Sequence, residues 1–66
     1  MSRAAFDAIV AKIRPALIEN ASLEEELEQK LTAAERKQLA EVLRFLLDSN
    51  KISKDGGKYT WKKFRG

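Results

Sequence analysis

The sequence predicts a small α+β domain of three helices followed by a C-terminal two-stranded β-hairpin. Apolar residues recur at spacings of three and four, and the capping-box pattern Ser/Thr-x-x-Glu occurs twice, at Ser22 and at Thr32, which predicts the helices. The hairpin is predicted by Asp55-Gly56-Gly57, which lies between two short runs of strand-forming residues. A chain of 66 residues can build one domain with a small core, so residues 1–66 are predicted to form a single domain.

The first predicted helix covers about residues 3–19, with Ser2 as its N-cap. Pro15 interrupts it, and two outcomes are open: one kinked helix, or a break at Arg14 with Pro15 opening a second short turn. We favour the kinked helix because the apolar stripe stays in phase past the proline. We expect Asn20, which tolerates the left-handed conformation, to end the helix. The stripe consists of Phe6, Ile9, Val10, Ile13 and Leu17.

Two further helices are predicted to form a helix-turn-helix pair. The second is expected over about residues 23–30, capped by Ser22 and Glu25. The third is expected to run from the capping box Thr32-Ala33-Ala34-Glu35 to about Ser49. Three leucines spaced four apart are expected to dock the second helix: Leu23, Leu27 and Leu31. The core side of the third helix is predicted to hold Leu39, Val42, Leu43 and Leu46.

The hairpin is predicted over about residues 51–62, followed by a frayed tail at 63–66. A loop of even length, centred on residues 55–56 or on residues 56–57, pairs Ile52 with Tyr59 or Trp61 and puts all three side chains on one face. A three-residue loop would pair Ile52 with Thr60 and split this apolar set. We predict the even loop, with the apolar face docked on the helices, because a lone hairpin is marginal in water.

The composition argues against enzymes, metal sites and membrane proteins. Cysteine and histidine are absent, which removes disulfides, thiolate metal sites and imidazole catalysis. The sequence has no glycine-rich phosphate loop before a helix and no metal-ligand spacing. No apolar run approaches the ~20 residues that span a bilayer, and the N-terminus lacks a signal-peptide core. We therefore expect a soluble, cytoplasmic, non-enzymatic protein with no cofactor, no metal and no membrane contact.

The charge is distributed unevenly. Residues 1–50 carry seven basic and nine acidic groups, a net charge of −2, whereas residues 51–66 carry six basic groups against Asp55 alone, a net charge of +5. Such an asymmetry indicates a polyanionic partner or, alternatively, a solvated end that keeps the chain in solution. If the partner is a nucleic acid, phosphate contacts are expected from Lys54, Lys58, Lys62, Lys63 and Arg65, since mobile basic side chains need no strict geometry there.

A helix, a helix-turn-helix pair and a hairpin directly after the last helix together resemble the winged-helix superfamily. Residues 43–52 (Leu43-Arg44-Phe45-Leu46-Leu47-Asp48-Ser49-Asn50-Lys51-Ile52) look like the end of a recognition helix running into the first wing strand. Residues 55–61 look like the wing tip and return strand. This resemblance implies that the third helix enters the major groove of double-stranded DNA, with Lys54 and Lys58 contacting phosphates from the wing. The helix residues available for contact are then Arg36, Lys37, Gln38 and Arg44.

We therefore predict weak, salt-dependent binding to double-stranded DNA, as a monomer, as a homodimer or within a larger complex. The alternative is a winged-helix adaptor that binds another protein and no nucleic acid. It would use Phe45, which falls between the two faces of the third helix, or the acidic side of the second helix, formed by Glu24, Glu25, Glu26 and Glu28. A third hypothesis is a self-associating structural protein.

Overall fold

The computed structural model describes residues 1–63 and shows three helices with a three-stranded antiparallel sheet. In chain order the elements are α1 (Arg3–Glu19), β1 (Ser22–Leu23), α2 (Glu24–Glu28), α3 (Ala33–Asp48), β2 (Ile52–Asp55) and β3 (Lys58–Trp61). The predicted α+β class, with three helices and a C-terminal strand pair, is confirmed. The short strand β1 was not predicted.

Helix α1 is a single helix that continues through Pro15, as predicted. Its N-cap is Ser2, whose Oγ accepts a hydrogen bond from the Ala5 amide at 3.1 Å. Pro15 has no amide hydrogen, so the Ala11 carbonyl has no helical donor. Both residues are exposed. The helix therefore continues because the carbonyl freed by the proline can reach water. The opposite side of α1 is fully buried at Ile9, Ile13 and Leu17.

The prediction of a second helix over residues 23–30, capped by Ser22, is wrong at both ends. Ser22 is extended and pairs with Tyr59 of β3, and its Oγ donates to the Asn20 carbonyl at 3.1 Å. Helix α2 begins one residue later than expected, and Glu26 Oε1 accepts from the Leu23 amide at 2.8 Å. The helix ends at Glu28, because the amides of the next three residues, 29–31, bond to carbonyls three residues back instead of four. These bonds tighten the last turn.

The three leucines expected to dock this segment do not behave alike. Leu27 and Leu31 are buried in the core, with exposed fractions of 0% and 6%. Leu23 belongs to β1 and is 38% exposed, so its predicted burial is wrong. Strand pairing, and not the four-residue spacing, decides which way Leu23 faces.

Helix α3 has the predicted capping box and ends in a Schellman motif. The Glu35 amide donates to Thr32 Oγ1 at 3.2 Å, and the Thr32 amide donates to Glu35 Oε1 at 2.9 Å. At the other end the Asn50 amide bonds to the Leu47 carbonyl and the Lys51 amide to the Leu46 carbonyl. Asn50 has a φ of 62°, which this motif requires. The left-handed asparagine is therefore Asn50.

Asn20, by contrast, is extended, with a φ of −149°, so the left-handed conformation predicted for it is wrong. The chain leaves α1 directly into β1, and this connection needs an extended residue at position 20.

The hairpin has the predicted even loop, and of the two proposed centres the loop is Gly56-Gly57. Both glycines have positive φ, 57° and 81°, as two-residue hairpin turns of type I′ require. Ile52 pairs with Trp61, and Lys54 pairs with Tyr59. Directly opposed residues share a face, so the apolar side chains lie together on the side that meets the helices.

The core lies between α1, α3 and the sheet, and β3 is the central strand. Strand β3 packs on α1, and β2 packs on α3. Within residues 1–63, no helix is both long and apolar enough to cross a membrane. The buried core residues are Ile9, Ile13, Leu17, Leu27, Leu31, Leu39, Val42, Leu43, Leu46, Ile52 and Tyr59.

Candidate nucleic-acid interface

The exposed side of α3 carries charges of both signs. Lys37 and Arg44 are exposed and lie two turns apart on the side opposite the core, with Glu41 and Asp48 beside them. The Arg44 side chain is 85% exposed, and its Nε is 4.0 Å from the nearer Asp48 carboxylate oxygen. An exposed pair at that distance contributes little, so the Arg44 guanidinium is free to reorient toward a ligand.

Arg36 is held by the fold. Its Nε donates to the Glu28 carbonyl at 2.7 Å, and Glu28 is the last residue of α2. The same carbonyl also accepts from the Leu31 amide at 3.1 Å, so Arg36 adds a second donor at the end of the short helix. Arg36 therefore links α2 to α3 through its Nε. It is exposed like Lys37 and Arg44, but it differs from them in being held to a neighbouring element.

Gln38 is less accessible than expected from the sequence. It is half-buried, and its Oε1 is buried without a hydrogen-bond partner in the part of the chain that the structure describes. The reason is its position four residues before Val42, which is fully buried on the same side of the helix. This oxygen is therefore not presented to a base edge.

The hairpin presents two exposed lysines on either side of its turn. Lys54 lies opposite Tyr59, and its Nζ is 5.3 Å from the centroid of the Tyr59 ring. Lys58 lies opposite Asp55 on the other face of the hairpin. The tight Gly56-Gly57 turn therefore brings two basic side chains to the end of the hairpin, one on each face.

The remaining basic residues of the C-terminal segment differ in how they are held. Lys62 is half-buried, its Nζ donates to Asn50 Oδ1, and its amide donates to the Lys51 carbonyl at 3.0 Å. Lys63 is exposed. Arg65 and most of the predicted frayed tail lie outside the described residues. Lys62 therefore fastens the end of β3 to the α3–β2 connection.

The residues of the alternative protein-binding sites lie on two helices, the glutamates on α2 and Phe45 on α3. Glu24 and Glu28 are half-buried, whereas Glu25 and Glu26 are exposed, and of these two Glu26 is held by its hydrogen bond at the start of α2. Phe45 is 57% exposed and packs edge-on against Phe6 of α1, with ring centroids 5.0 Å apart.

An ion pair fixes α3 against α1. Lys12 Nζ lies 2.7 Å from Glu35 Oε1, the oxygen that also accepts from the Thr32 amide. The hydrogen bond from Lys12, followed by that from the Thr32 backbone, lowers the pKa of the Glu35 carboxyl below its ordinary value of 4.5. One carboxylate therefore both caps the start of α3 and ties it to α1.

This ion pair predicts a pH dependence of stability. A carboxyl whose pKa is lowered by folding stabilises the fold above its unfolded-state pKa and ceases to do so as the pH falls through the folded-state pKa. We expect Glu35→Gln to lower the thermal midpoint at neutral pH, with the difference from the parent protein disappearing well below pH 4.5.

Thermal melts followed by circular dichroism over that pH series provide the measurement. The control is Glu25→Gln, an exposed carboxylate of α2, which should change the midpoint little at any pH. If Glu35→Gln lowers the thermal midpoint as much in acid as at neutral pH, the ionised Glu35 carboxylate is not the source of the stabilisation.

No family model matches the chain, and its comparison with curated proteins and with solved structures finds no match either.

Proposed function

We propose that the chain is a winged-helix domain that binds double-stranded DNA through α3 and the β2–β3 hairpin. The observation that carries the proposal is the placement of exposed cations on two consecutive elements: Lys37 and Arg44 on α3, and Lys54 and Lys58 at the hairpin turn. The element order supports it as well, since a helix precedes the α2–α3 pair and a hairpin follows α3 directly.

In the proposed mechanism, α3 lies in the major groove and the hairpin reaches the flanking backbone. The Arg44 guanidinium presents a planar fork of donors that matches the acceptors on a guanine edge. Lys54 and Lys58 act as mobile positive charges on phosphates, and such contacts fix register without reading sequence. Glu41 and Asp48 face the same side as Arg44 and repel phosphate, so we expect weak binding from a single domain.

Binding is expected to fall steeply with salt. Each phosphate neutralised by a cation releases counterions, which gives a slope of about −0.9 in log K against log salt. Phosphate contacts by Lys37, Lys54 and Lys58 therefore predict a slope of about −3, and a further phosphate contact by Arg44 would bring it to about −4. Titration with a DNA duplex at about 50 mM and at about 200 mM salt, followed by amide shifts, measures both the slope and the surface. Residues 36–44 and 54–58 should shift together at the lower salt concentration.

Absence of binding at low salt, or equal binding at both salt concentrations, would overturn the proposal. The Glu25→Lys variant separates it from an adaptor that uses α2. This reversal of the exposed carboxylate should leave DNA binding unchanged or strengthen it, whereas an adaptor would lose its protein partner.

A further inference from the structure

A groove with aromatic walls lies between the start of α1, the second half of α3 and the end of β3. Its volume is about 840 Å³, and it is open to solvent along one side. Its apolar walls are formed by Phe6, Val10, Phe45 and Trp61. We refer to it as the aromatic groove.

The aromatic groove leaves a large apolar side chain in water. Helix α3 buries four apolar residues in the core, yet Phe45 is 57% exposed and meets the Phe6 ring edge to face, at an interplanar angle of 78°. Phe6, Val10 and Trp61 are only partly buried. An exposed aromatic cluster of this kind, rimmed by polar residues, is typical of a binding surface.

The rim of the aromatic groove is basic. Arg14 stacks over Trp61, with its guanidinium carbon 5.3 Å from the ring centroid. Lys51 is exposed on the rim, and Arg3 lies there beside Asp7, its partner at 3.2 Å. Among residues 1–63, Glu41 is the acidic residue that lines the groove. A partner that fills the groove with apolar side chains should therefore bind more tightly if carboxylates flank those side chains.

We propose that the aromatic groove binds an acidic amphipathic helix of another protein. The aromatic groove is lined mostly by side chains of α1 and α3, with Trp61 as its residue from β3, so it does not run along a strand edge to which an extended peptide could add. A helix needs no sheet edge, because it inserts apolar side chains from successive turns into a groove.

A second copy of this chain fits the groove poorly. The acidic helix α2 has five residues, and its one apolar residue, Leu27, is fully buried in the core. Helix α2 of a second copy could therefore place carboxylates at the basic rim, but it has no apolar face to fill the groove.

The probe is a synthetic helix of about 15 residues with leucines at i, i+3, i+4 and i+7 and glutamates on its flanks, a length at which an isolated helix can form. Titration followed by amide shifts should give saturable changes at Phe6, Phe45 and Trp61 and none at residues 54–58. The same peptide with lysines in place of the glutamates should not bind, and neither should one with alanines in place of the leucines.

Two variants with a matched control test the groove residues. Phe45→Ala should weaken peptide binding by at least about tenfold, whereas Ile18→Ala, which removes a 46% exposed side chain outside the groove, should leave it unchanged. Arg14→Glu keeps the apolar walls and changes the rim from three cations against Glu41 to two cations against two carboxylates. It should therefore weaken binding of the glutamate peptide and strengthen binding of the lysine peptide, relative to the parent protein. Circular dichroism establishes that each variant is folded.

Four outcomes would overturn the proposal. They are absence of binding, equal binding of the glutamate and lysine peptides, binding that survives Phe45→Ala, and groove shifts that grow with protein concentration without peptide. The last would assign the groove to a second copy. Because Phe45 lies outside the proposed DNA contacts, Phe45→Ala should leave the DNA titration unchanged, so failure of one proposal is distinguishable from failure of the other.

Discussion

Leu39→Ala is expected to cost about 2–5 kcal/mol of the free energy of unfolding. Leu39 is fully buried in the core on α3. Truncation removes apolar surface from the core and leaves a cavity that the small structure can only partly close. A domain of this size has roughly 3–10 kcal/mol in total, so a loss in the middle of the expected range removes about half of its stability.

Chemical denaturation followed by circular dichroism measures this loss. The matched control is Ile18→Ala, a similar truncation at a 46% exposed position on α1, which should change the free energy of unfolding by no more than about 0.5 kcal/mol. A Leu39→Ala variant that loses less than about 1 kcal/mol would contradict the position of Leu39 in a packed core.

Arg44→Glu is expected to lower the affinity for duplex DNA by about tenfold or more at low salt. Loss of a guanidinium fork from a base edge costs about 1–3 kcal/mol, and the introduced carboxylate adds repulsion from phosphate. The slope of log K against log salt should become shallower by about 1 if Arg44 also neutralises a phosphate. Fluorescence anisotropy of a labelled duplex at several salt concentrations measures both effects.

Arg3→Glu is a closely matched control for this charge reversal. Arg3 and Arg44 are 88% and 85% exposed, and each has an aspartate four residues later on its own helix. The two variants therefore change net charge equally and disturb similar local pairs. Equal losses of affinity would show that DNA responds to net charge alone and would exclude a specific contact by Arg44.

Local patterns were sufficient to predict those parts of the fold that depend on neighbouring residues. The Thr32–Glu35 capping box predicted the start of α3 because both partners lie within one turn. The hairpin register followed from the apolar set of Ile52, Tyr59 and Trp61, which only an even loop keeps on one face. Neither conclusion required knowledge of the rest of the chain.

The errors arise where distant segments compete with a local pattern. The capping-box pattern at Ser22 is as good as the one at Thr32, but the backbone of β3 pairs with residues 22–23 and makes them a strand. The same limit applies to the candidate sites. Helical phase predicted that Lys37 and Arg44 are exposed, but not that Glu28 holds Arg36 or that Trp61 meets Arg14 across the aromatic groove. Those contacts depend on how α1, α3 and β3 pack.

The central position of β3 has a consequence for how the domain forms during synthesis. A nascent chain that has not yet emerged past Lys58 can build all three helices, but β1 and β2 both lack the strand with which they pair. The sheet can therefore form, and Tyr59 can become buried in it, only after β3 has left the ribosome. The contact between Ser22 and Tyr59, which closes a loop of more than half the chain, can form only after that point.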